Sequence, residues 1–282
     1  MHSRRDARHA SLGGILSRRR EDVMAEFSSY PPGTPSWVEL ATTDLQGAKD
    51  FYRAIFGWSY EDEPAGEESA STMCLLRGKP VAALFQMGPE QREAGTPPHW
   101  ITYITVASAD EAAAMATDAG GTILLPAFDV EDAGRMTIVR DAAGAFISFW
   151  EPRKHFGAML ANEPGTRTWN ELQVHDVDAA KNFYAAVLGV TTHTEEMPDG
   201  PYTTFNLAGR PVAGLMQIKE QWGSVPPHWD VYFAVADTDE TLEKAVAAGG
   251  TVDVAARDIP DVGRFAGITD PQGAMFFVLA GF

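Results

Sequence analysis

One long segment occurs twice in the chain. The stretch GTPSWVELATTDLQGAKDFYRAIFGW, which begins at Gly33, matches GTRTWNELQVHDVDAAKNFYAAVLGV, which begins at Gly165. Further matches pair GKPVAALFQM with GRPVAGLMQI, PPHWITYITV with PPHWDVYFAV, and DAGRM with DVGRF. A repeat of this length indicates two copies of one folded unit. The sequence therefore predicts a first module at residues 33–153, a linker at 154–164 and a second module at 165–282.

Each copy contains the pattern of one strand, one helix and three strands, twice over. Residues 37–42 alternate in the manner of a half-buried strand. Asp44 then begins a helix whose apolar residues recur at helical spacing, and Gly57 ends it. Turns rich in glycine and aspartate divide most of the remaining sequence into strands. The pattern predicts an α+β fold with two βαβββ units in each module.

Composition limits the classes of function. The 282 residues are 45% hydrophobic, which is enough to build two cores. The formal net charge of −17 argues against binding to nucleic acid or to anionic membranes, and no apolar run reaches the roughly 20 residues that span a bilayer. Cys74 is the only cysteine, so no internal disulfide forms. The expected location is the cytoplasm.

The beginning of the chain differs from the rest. Residues 1–23 are rich in arginine and contain only a short apolar patch, which is too weak for a secretion signal. A small, polar and proline-rich stretch then leads to the first module. We expect residues 1–32 to form a disordered basic extension.

These motifs together resemble the glyoxalase, bleomycin-resistance and extradiol-dioxygenase superfamily, also called vicinal-oxygen-chelate proteins. The resemblance is carried by the opening strand and its aspartate, the helix FYRAIFG or FYAAVLG, and the closing hairpin DAAGAF or DPQGAM. The SWVEL opening and the PPHW segment are similar to tandem actinobacterial members described as glyoxylases or hydroxylases. The resemblance implies that paired βαβββ units form a curled mixed sheet around a cavity in each module.

Members of this superfamily bind a metal through side chains that point inward from the strands. The corresponding positions hold Trp37, Ile101 and Ser148 in the first module, and Trp169, Asp230 and Phe277 in the second. Tryptophan and phenylalanine cannot ligate a cation, and a catalytic metal needs about three protein ligands. We therefore predict no metal site. No cofactor is expected either, because the chain has no phosphate loop and no dinucleotide motif.

Two glutamates and one aspartate are the candidate catalytic residues. Glu39 and Glu171 share the inward face of their strands with Trp37 and Trp169. A carboxylate beside an apolar indole would have a raised pKa and could act as an acid or base, while the indole could stack on an aromatic ligand. Asp230 has no acidic counterpart in the first module, which makes the second cavity the better candidate for proton transfer. The same residues could instead fill space and bind backbone groups.

Three further repeated pairs are candidate ligand contacts. They are Tyr103 and Tyr232, His99 and His228, and Gln86 and Gln217. A tyrosine hydroxyl could donate a hydrogen bond to the ligand, and a histidine could titrate near neutral pH. A buried amide needs a partner, which could be a ligand or another side chain. Each pair also has a structural interpretation.

The sequence favours a metal-independent protein that binds a small, aromatic molecule and transforms it as a lyase-, isomerase- or hydroxylase-like enzyme. Non-catalytic binding of a drug-like metabolite is an alternative, in which an acidic lining would suit a cationic ligand. A scaffold with closed pockets is a third. A metal-dependent glyoxalase or dioxygenase is disfavoured by the missing ligands. The chain is expected to be a monomer with internally paired modules, or a homodimer.

Overall fold

The computed structural model describes residues 26–63, 71–197 and 200–281. The elements of the first module are β1 (Pro35–Thr42), α1 (Leu45–Phe56), β2 (Ser59–Glu63), β3 (Ser71–Leu76), β4 (Lys79–Gln86), α2 (Pro89–Glu93), β5 (His99–Thr105), α3 (Ala109–Asp118), β6 (Thr122–Val130), β7 (Gly134–Arg140) and β8 (Phe146–Pro152). None of the helices described in either module is long and apolar enough to cross a membrane.

The second module repeats this order. Its elements are β9 (Arg167–Val174), α4 (Val177–Leu188), β10 (Thr191–Met197), β11 (Gly200–Leu207), β12 (Arg210–Gln217), a 3₁₀ turn (Glu220–Trp222), β13 (His228–Ala234), α5 (Thr238–Ala247), β14 (Thr251–Ile259), β15 (Gly263–Thr269) and β16 (Met275–Ala280). The predicted α+β fold, with two βαβββ units per module, is confirmed.

Each module forms one mixed sheet of eight strands. The strand order is β2-β3-β4-β1-β5-β8-β7-β6 in the first sheet and β10-β11-β12-β9-β13-β16-β15-β14 in the second. The two βαβββ units meet at the antiparallel pairs β1–β5 and β9–β13, and each central strand has a parallel neighbour on its other side. This arrangement brings the first strands of both units side by side at the centre of each sheet.

The helix ends follow the sequence signals. Asp44 and Asp176 each accept a hydrogen bond from a backbone N–H in the first turn of α1 and α4. Gly57 and Gly189 end these helices with φ angles of 71° and 67°, a left-handed conformation that glycine adopts without a steric cost. The two copies therefore begin and end their first helix in the same way.

The main cores join the two modules. Tyr52 and Phe56 of α1 pack against Phe233 and Phe276 of the second sheet, with ring centres 4.9 Å apart for Phe56 and Phe233. In the same way, α4 of the second module packs against strands of the first. The opposite face of each sheet carries its own aromatic cluster. Because each core needs residues from both modules, the modules are paired within the chain.

The N-terminal extension is ordered at its end. Residues 26–32 lie beside the linker, where the Phe27 N–H donates to the Met159 carbonyl oxygen at 2.9 Å and the Tyr30 hydroxyl donates to the Ala158 carbonyl oxygen at 2.8 Å. Tyr30 is buried. The expectation of disorder is therefore wrong for residues 26–32, because these contacts bury an aromatic ring and satisfy backbone groups. The rest of that prediction concerns residues 1–25, which lie outside the described residues.

Candidate functional site

A cavity of about 680 Å³ lies on the inner face of the second sheet. Its walls include Trp169, Phe265 and the stacked rings of Tyr232 and Phe277, whose centres are 4.7 Å apart. Small-molecule sites in proteins commonly measure roughly 300–1,000 Å³ and are lined by apolar and aromatic side chains with few polar groups. The size and lining of this cavity fit a small aromatic ligand.

Glu171 is the central polar residue of this cavity. It lies on β9 and is only 4% exposed. The Tyr202 hydroxyl donates to Oε2 at 2.8 Å, and the Tyr232 hydroxyl donates to Oε1 at 3.1 Å. Trp169 donates from Nε1 to the Tyr202 hydroxyl oxygen at 2.9 Å. The structure thus brings the predicted residues Trp169, Glu171 and Tyr232 together around one carboxyl group.

Tyr202 was not among the sequence candidates. Strand pairing places Tyr202 opposite Met216, and the equivalent position opposite Phe85 in the first module is Ser71. The sequence candidates, apart from Asp230, came from residues shared by both copies, so a tyrosine present in only one copy was missed. Gly214 was a usable signal, because a side chain at this position would collide with the Tyr202 hydroxyl.

The environment of Glu171 raises its pKa. Burial is the largest cause and the nearby Asp230 carboxylate is the next, while the hydrogen bonds from Tyr202, Tyr232 and Gln173 act in the opposite direction. The result is a pKa of about 7. Near neutral pH the carboxyl group is therefore present in both protonation states, as general acid–base catalysis requires.

A second polar network adjoins Glu171. The Gln173 amide nitrogen donates to Asp230 Oδ2 at 2.6 Å and lies 3.5 Å from Glu171 Oε1. Nε2 of His228 lies 3.4 Å from the other oxygen of Asp230, and Nδ1 of the same ring lies 2.7 Å from the Pro226 carbonyl oxygen. Burial lowers the pKa of His228, but its interactions with Asp230 outweigh this and the pKa is about 9. A charged imidazolium therefore balances the Asp230 carboxylate at neutral pH.

The first module keeps the same central carboxylate but surrounds it differently. Trp37 donates from Nε1 to Glu39 Oε1 at 3.1 Å, and Tyr103 donates to Oε2 at 2.6 Å. The ring of His155, from the linker, packs edge-on against Trp37 with centres 4.4 Å apart, and Trp150 donates to the His155 carbonyl oxygen at 2.8 Å. These linker contacts occupy the space beside Trp37, so the second module holds the better-defined candidate site.

Three predicted ligand contacts lie elsewhere. Gln86 bonds the backbone of Thr43 and Leu45, and Gln217 is exposed and donates to the His175 carbonyl oxygen at 3.3 Å. These amides therefore hold the connections that follow β1 and β9. Nδ1 of His99 lies 2.8 Å from the Pro97 carbonyl oxygen. Its counterpart His228 lies beside Asp230, and the position equivalent to Asp230 in the first module is Ile101.

The inward-facing positions do not supply a metal-ligand set. Trp169 and Phe277 line the cavity at two of the three positions from which members of the superfamily bind a metal. Asp230, at the third position, is the only one of these three residues that could bind a cation. Its two oxygens contact Gln173 and His228. Among the residues that the structure describes, no group of three or more His, Cys, Asp or Glu side chains could hold a metal ion. The donor set therefore does not fit a divalent cation.

The model of the Glyoxalase/Bleomycin resistance protein/Dioxygenase superfamily matches residues 34–149 and 166–278. These two matches cover both modules and agree with the paired βαβββ sheets. The chain belongs to this superfamily.

Two relatives match nearly the whole chain. The Mycobacterium bovis protein named "Putative glyoxylase CFP32" is 45% identical over 91% of this chain and 98% of its own length. The anthracycline biosynthesis protein DnrV of Streptomyces peucetius is 34% identical over 90% of this chain and 95% of its own length. Among solved structures, the Mn(II)-bound glyoxalase from Novosphingobium aromaticivorans has a TM-score of 0.60 at 13% identity, over 88% of this chain and 82% of that one. The last similarity shows the shared fold.

Proposed function

We propose that the second-module cavity binds a small aromatic molecule and that Glu171 transfers a proton to or from it without a metal ion. The observation that carries this proposal is the position of the Glu171 carboxyl group, buried in a cavity of about 680 Å³ with aromatic walls. A carboxyl group with a pKa of about 7 can act as either an acid or a base at neutral pH.

The aromatic rings and hydroxyl groups around Glu171 have separate roles in this proposal. The ligand ring stacks on Trp169 or on the Tyr232 and Phe277 pair, which places an acidic C–H or O–H group of the ligand beside Glu171. The Tyr202 and Tyr232 hydroxyls stabilise the deprotonated carboxylate by donating to both of its oxygens. Proton transfer of this kind is a step of isomerase and lyase reactions.

The relatives support this class of ligand and reaction. The name of the Streptomyces relative assigns that protein to anthracycline biosynthesis, which supports a polycyclic aromatic ligand for this chain. The name of the mycobacterial relative supports an enzyme. A metal-free reaction is supported by the donor set, since Trp169 and Phe277 stand where ligands are needed.

The test compares Glu171→Gln with Glu39→Gln, the equivalent change in the first module. A panel of aromatic ketones and phenols is first screened for binding by thermal shift. The exchange of ligand protons with D₂O is then followed by NMR for each compound that binds. We expect Glu171→Gln to retain binding but to slow the exchange of ligand protons by about 100-fold or more. Glu39→Gln should leave the exchange rate unchanged.

The other outcomes contradict the proposal in different ways. If the unaltered protein binds a compound without exchanging its protons, and Glu171→Gln weakens that binding, the protein is a non-catalytic binding protein. Binding and proton exchange that are both unchanged in Glu171→Gln would place the ligand elsewhere. Stoichiometric metal in elemental analysis of the purified protein, with exchange lost on chelation, would overturn the metal-free mechanism.

A further inference from the structure

Six side chains on the inner face of the second sheet form three neighbouring pairs. The antiparallel register of β9 and β13 sets each residue of one strand opposite one residue of the other. In order along the two strands, the pairs are Trp169 with Tyr232, Glu171 with Asp230, and Gln173 with His228. All six side chains line the cavity. Because alternate residues of a strand share one face, the cavity floor passes from an aromatic pair to an acidic pair and then to an amide and an imidazole.

His228 lies at the open end of this floor. Its side chain is 34% exposed, whereas that of Asp230 is 4% exposed. Its Nε2 lies 3.4 Å from Asp230, which is longer than the roughly 2.7–2.9 Å of a strong charge-assisted hydrogen bond. Asp230 therefore balances the charge of the imidazolium, while the Nε2–H group can still donate to a ligand oxygen.

His228 also lies diagonally across the two strands from Glu171. Diagonal neighbours in an antiparallel pair have Cα atoms roughly 7–8 Å apart, and their side chains point to the same face. The α-carbon and the oxygen of a ketone are separated by a single atom. Glu171 and His228 can therefore both come within hydrogen-bond reach of one ketone, each at a different atom.

The first module has the same diagonal pair in a different setting. Glu39 and His99 occupy the equivalent positions, but Ile101 stands where the second module has Asp230. Ile101 supplies no carboxylate to hold a charge on the imidazole. The Asp230-supported imidazolium is thus specific to the module that has the cavity, and His99 offers a matched control for His228.

We infer that the ligand is a benzylic ketone, in which a CH₂ group lies between an aromatic ring and a carbonyl group, and that His228 donates a proton to the carbonyl oxygen while Glu171 takes one from the CH₂ group. The order of the three pairs carries the inference, since it sets the ring at the aromatic pair, the C–H group at Glu171 and the oxygen at His228. An aryl methyl ketone has its carbonyl and C–H groups in the opposite order. The inference rests on the proposed proton transfer by Glu171.

The step needs no oxidant and no co-reactant. The benzylic C–H bond breaks and its proton moves to a Glu171 oxygen, while the released electron pair forms a C=C bond. The π electron pair of the carbonyl group moves to the oxygen, which takes the Nε2 proton of His228. The products are an enol and a neutral imidazole. Exchange of the Glu171 proton with D₂O, followed by the reverse step, leaves deuterium on the benzylic carbon.

The test compares two probes with the same ring in the presence of the full chain. In 2-naphthylacetone the CH₂ group lies between the ring and the carbonyl group, and in 2-acetylnaphthalene the methyl group lies beyond the carbonyl group. NMR follows the exchange of each group with D₂O, and each rate is divided by the rate in buffer alone, which corrects for their different acidities. We expect the acceleration to be at least about tenfold greater for the benzylic group, because only this group lies beside Glu171 when the ring and the oxygen are in place.

A variant of His228 tests the proton donor. His228→Gln should slow the benzylic exchange by about 100-fold, because a neutral amide cannot transfer a proton. The affinity for 2-naphthylacetone should change by less than about threefold. His99→Gln is the control and should leave the exchange rate unchanged.

The pH profile separates proton donation from a structural role of His228. After subtraction of the buffer rate, exchange should rise as Glu171 loses its proton near its pKa of about 7, and fall as His228 loses its proton near its pKa of about 9. The decline above pH 9 should be absent from His228→Gln. The other charged or titratable side chains that line the cavity are Tyr202, Lys219, Asp230, Tyr232, Arg257 and Asp258. All of them remain in the variant, so a decline that the variant loses belongs to His228.

The results separate this inference from the proposal on which it rests. Equal acceleration of the two probes, a benzylic exchange that His228→Gln leaves unchanged, or an alkaline decline that persists in this variant would each overturn the inference. The proposed proton transfer stands in these cases if Glu171→Gln still slows the exchange. Exchange that Glu171→Gln does not slow would overturn both. If neither probe exchanges, the inference is wrong, and the other aromatic compounds of the thermal-shift panel decide the proposed function.

Discussion

The Tyr184 hydroxyl donates a hydrogen bond of 2.7 Å to Asp141, and the two residues belong to different modules. The equivalent residues of the repeat make the reciprocal contact, in which the Tyr52 hydroxyl of the first module donates to Asp270 of the second at 3.0 Å. Both aspartates are buried, both also accept hydrogen bonds from the backbone of their own hairpins, and burial raises their pKa. The two modules are therefore joined at two related points by a tyrosine that reaches a buried carboxyl group.

We expect Tyr184→Phe to destabilise the protein by about 1–3 kcal/mol, because it removes a donor from a buried carboxyl group. Urea unfolding measures the loss. Tyr60→Phe is the control, since the Tyr60 hydroxyl is half-buried and donates to a backbone carbonyl within its own module. A loss for Tyr184→Phe no larger than for Tyr60→Phe would contradict a special role for the bond between modules.

Local signals in the sequence were sufficient for the fold. The caps at Asp44 and Gly57 and the strand alternation each depend on neighbouring residues, and the structure has the corresponding elements. The packing partner of α1 could not be predicted in this way. An apolar stripe shows that a helix is buried, but it does not show against which sheet, and Phe56 packs on Phe233 of the other module.

The candidate site was predictable in part. Strand alternation was enough to place Trp169 and Glu171 on the inner face, because side chains alternate strictly along a strand. Tyr202 comes from β11, and its approach to Glu171 depends on how three strands pair. A polar residue in an apolar strand needs a partner, but the sequence does not show which one, and the Gln86 amide contacts the backbone of the next connection.

Gly214 controls the shape of the second cavity. A Cβ atom at this position would collide with the Tyr202 hydroxyl and would lie 2.9 Å from Trp169 Nε1. We expect Gly214→Ala to cost about 1–3 kcal/mol in the free energy of unfolding, as overpacked sites do, and to weaken aromatic probe binding. Chemical unfolding and calorimetry measure the two effects.

The first module provides the compensating change, because Ala83 and Ser71 occupy the positions of Gly214 and Tyr202 there. Tyr202→Ser should therefore recover much of the stability that Gly214→Ala removes. A double variant as unstable as the sum of the two single variants would contradict a direct clash between these side chains.

The raised pKa of Glu171 makes it a source of instability at neutral pH. Between its ordinary value of 4.5 and about 7, the folded protein holds a proton that the unfolded chain has released, so stability falls as pH rises through this window. Glu171→Gln removes this dependence. Relative to the unaltered protein, the variant should gain up to about 3 kcal/mol between pH 4.5 and pH 8.

Unfolding free energies measured across this range test the effect, with Glu39→Gln as the control. Glu39 has Ile101 where Glu171 has Asp230, so no second acid faces it from the paired strand. Glu39→Gln therefore reports the effect of removing a buried-strand carboxyl group that has no acid opposite it on the paired strand. A difference between Glu171→Gln and the unaltered protein that stays constant with pH would show that Glu171 does not titrate in this window.

His228 has the same sign of pH dependence but a different window and a stabilising role. Its folded-state pKa of about 9 exceeds the ordinary 6.5, so the stability it contributes is complete below about pH 6.5 and is lost as pH rises through 9. The side chain is 34% exposed, which limits the contribution to about 1–2 kcal/mol. His228→Gln should therefore cost that amount at pH 6 and much less at pH 10. His99→Gln tests the cause, because His99 makes the same contact with a proline carbonyl but the position equivalent to Asp230 is Ile101 in the first module. Equal losses for the two histidine variants at pH 6 would mean that the bond to the proline carbonyl, rather than Asp230, accounts for the effect.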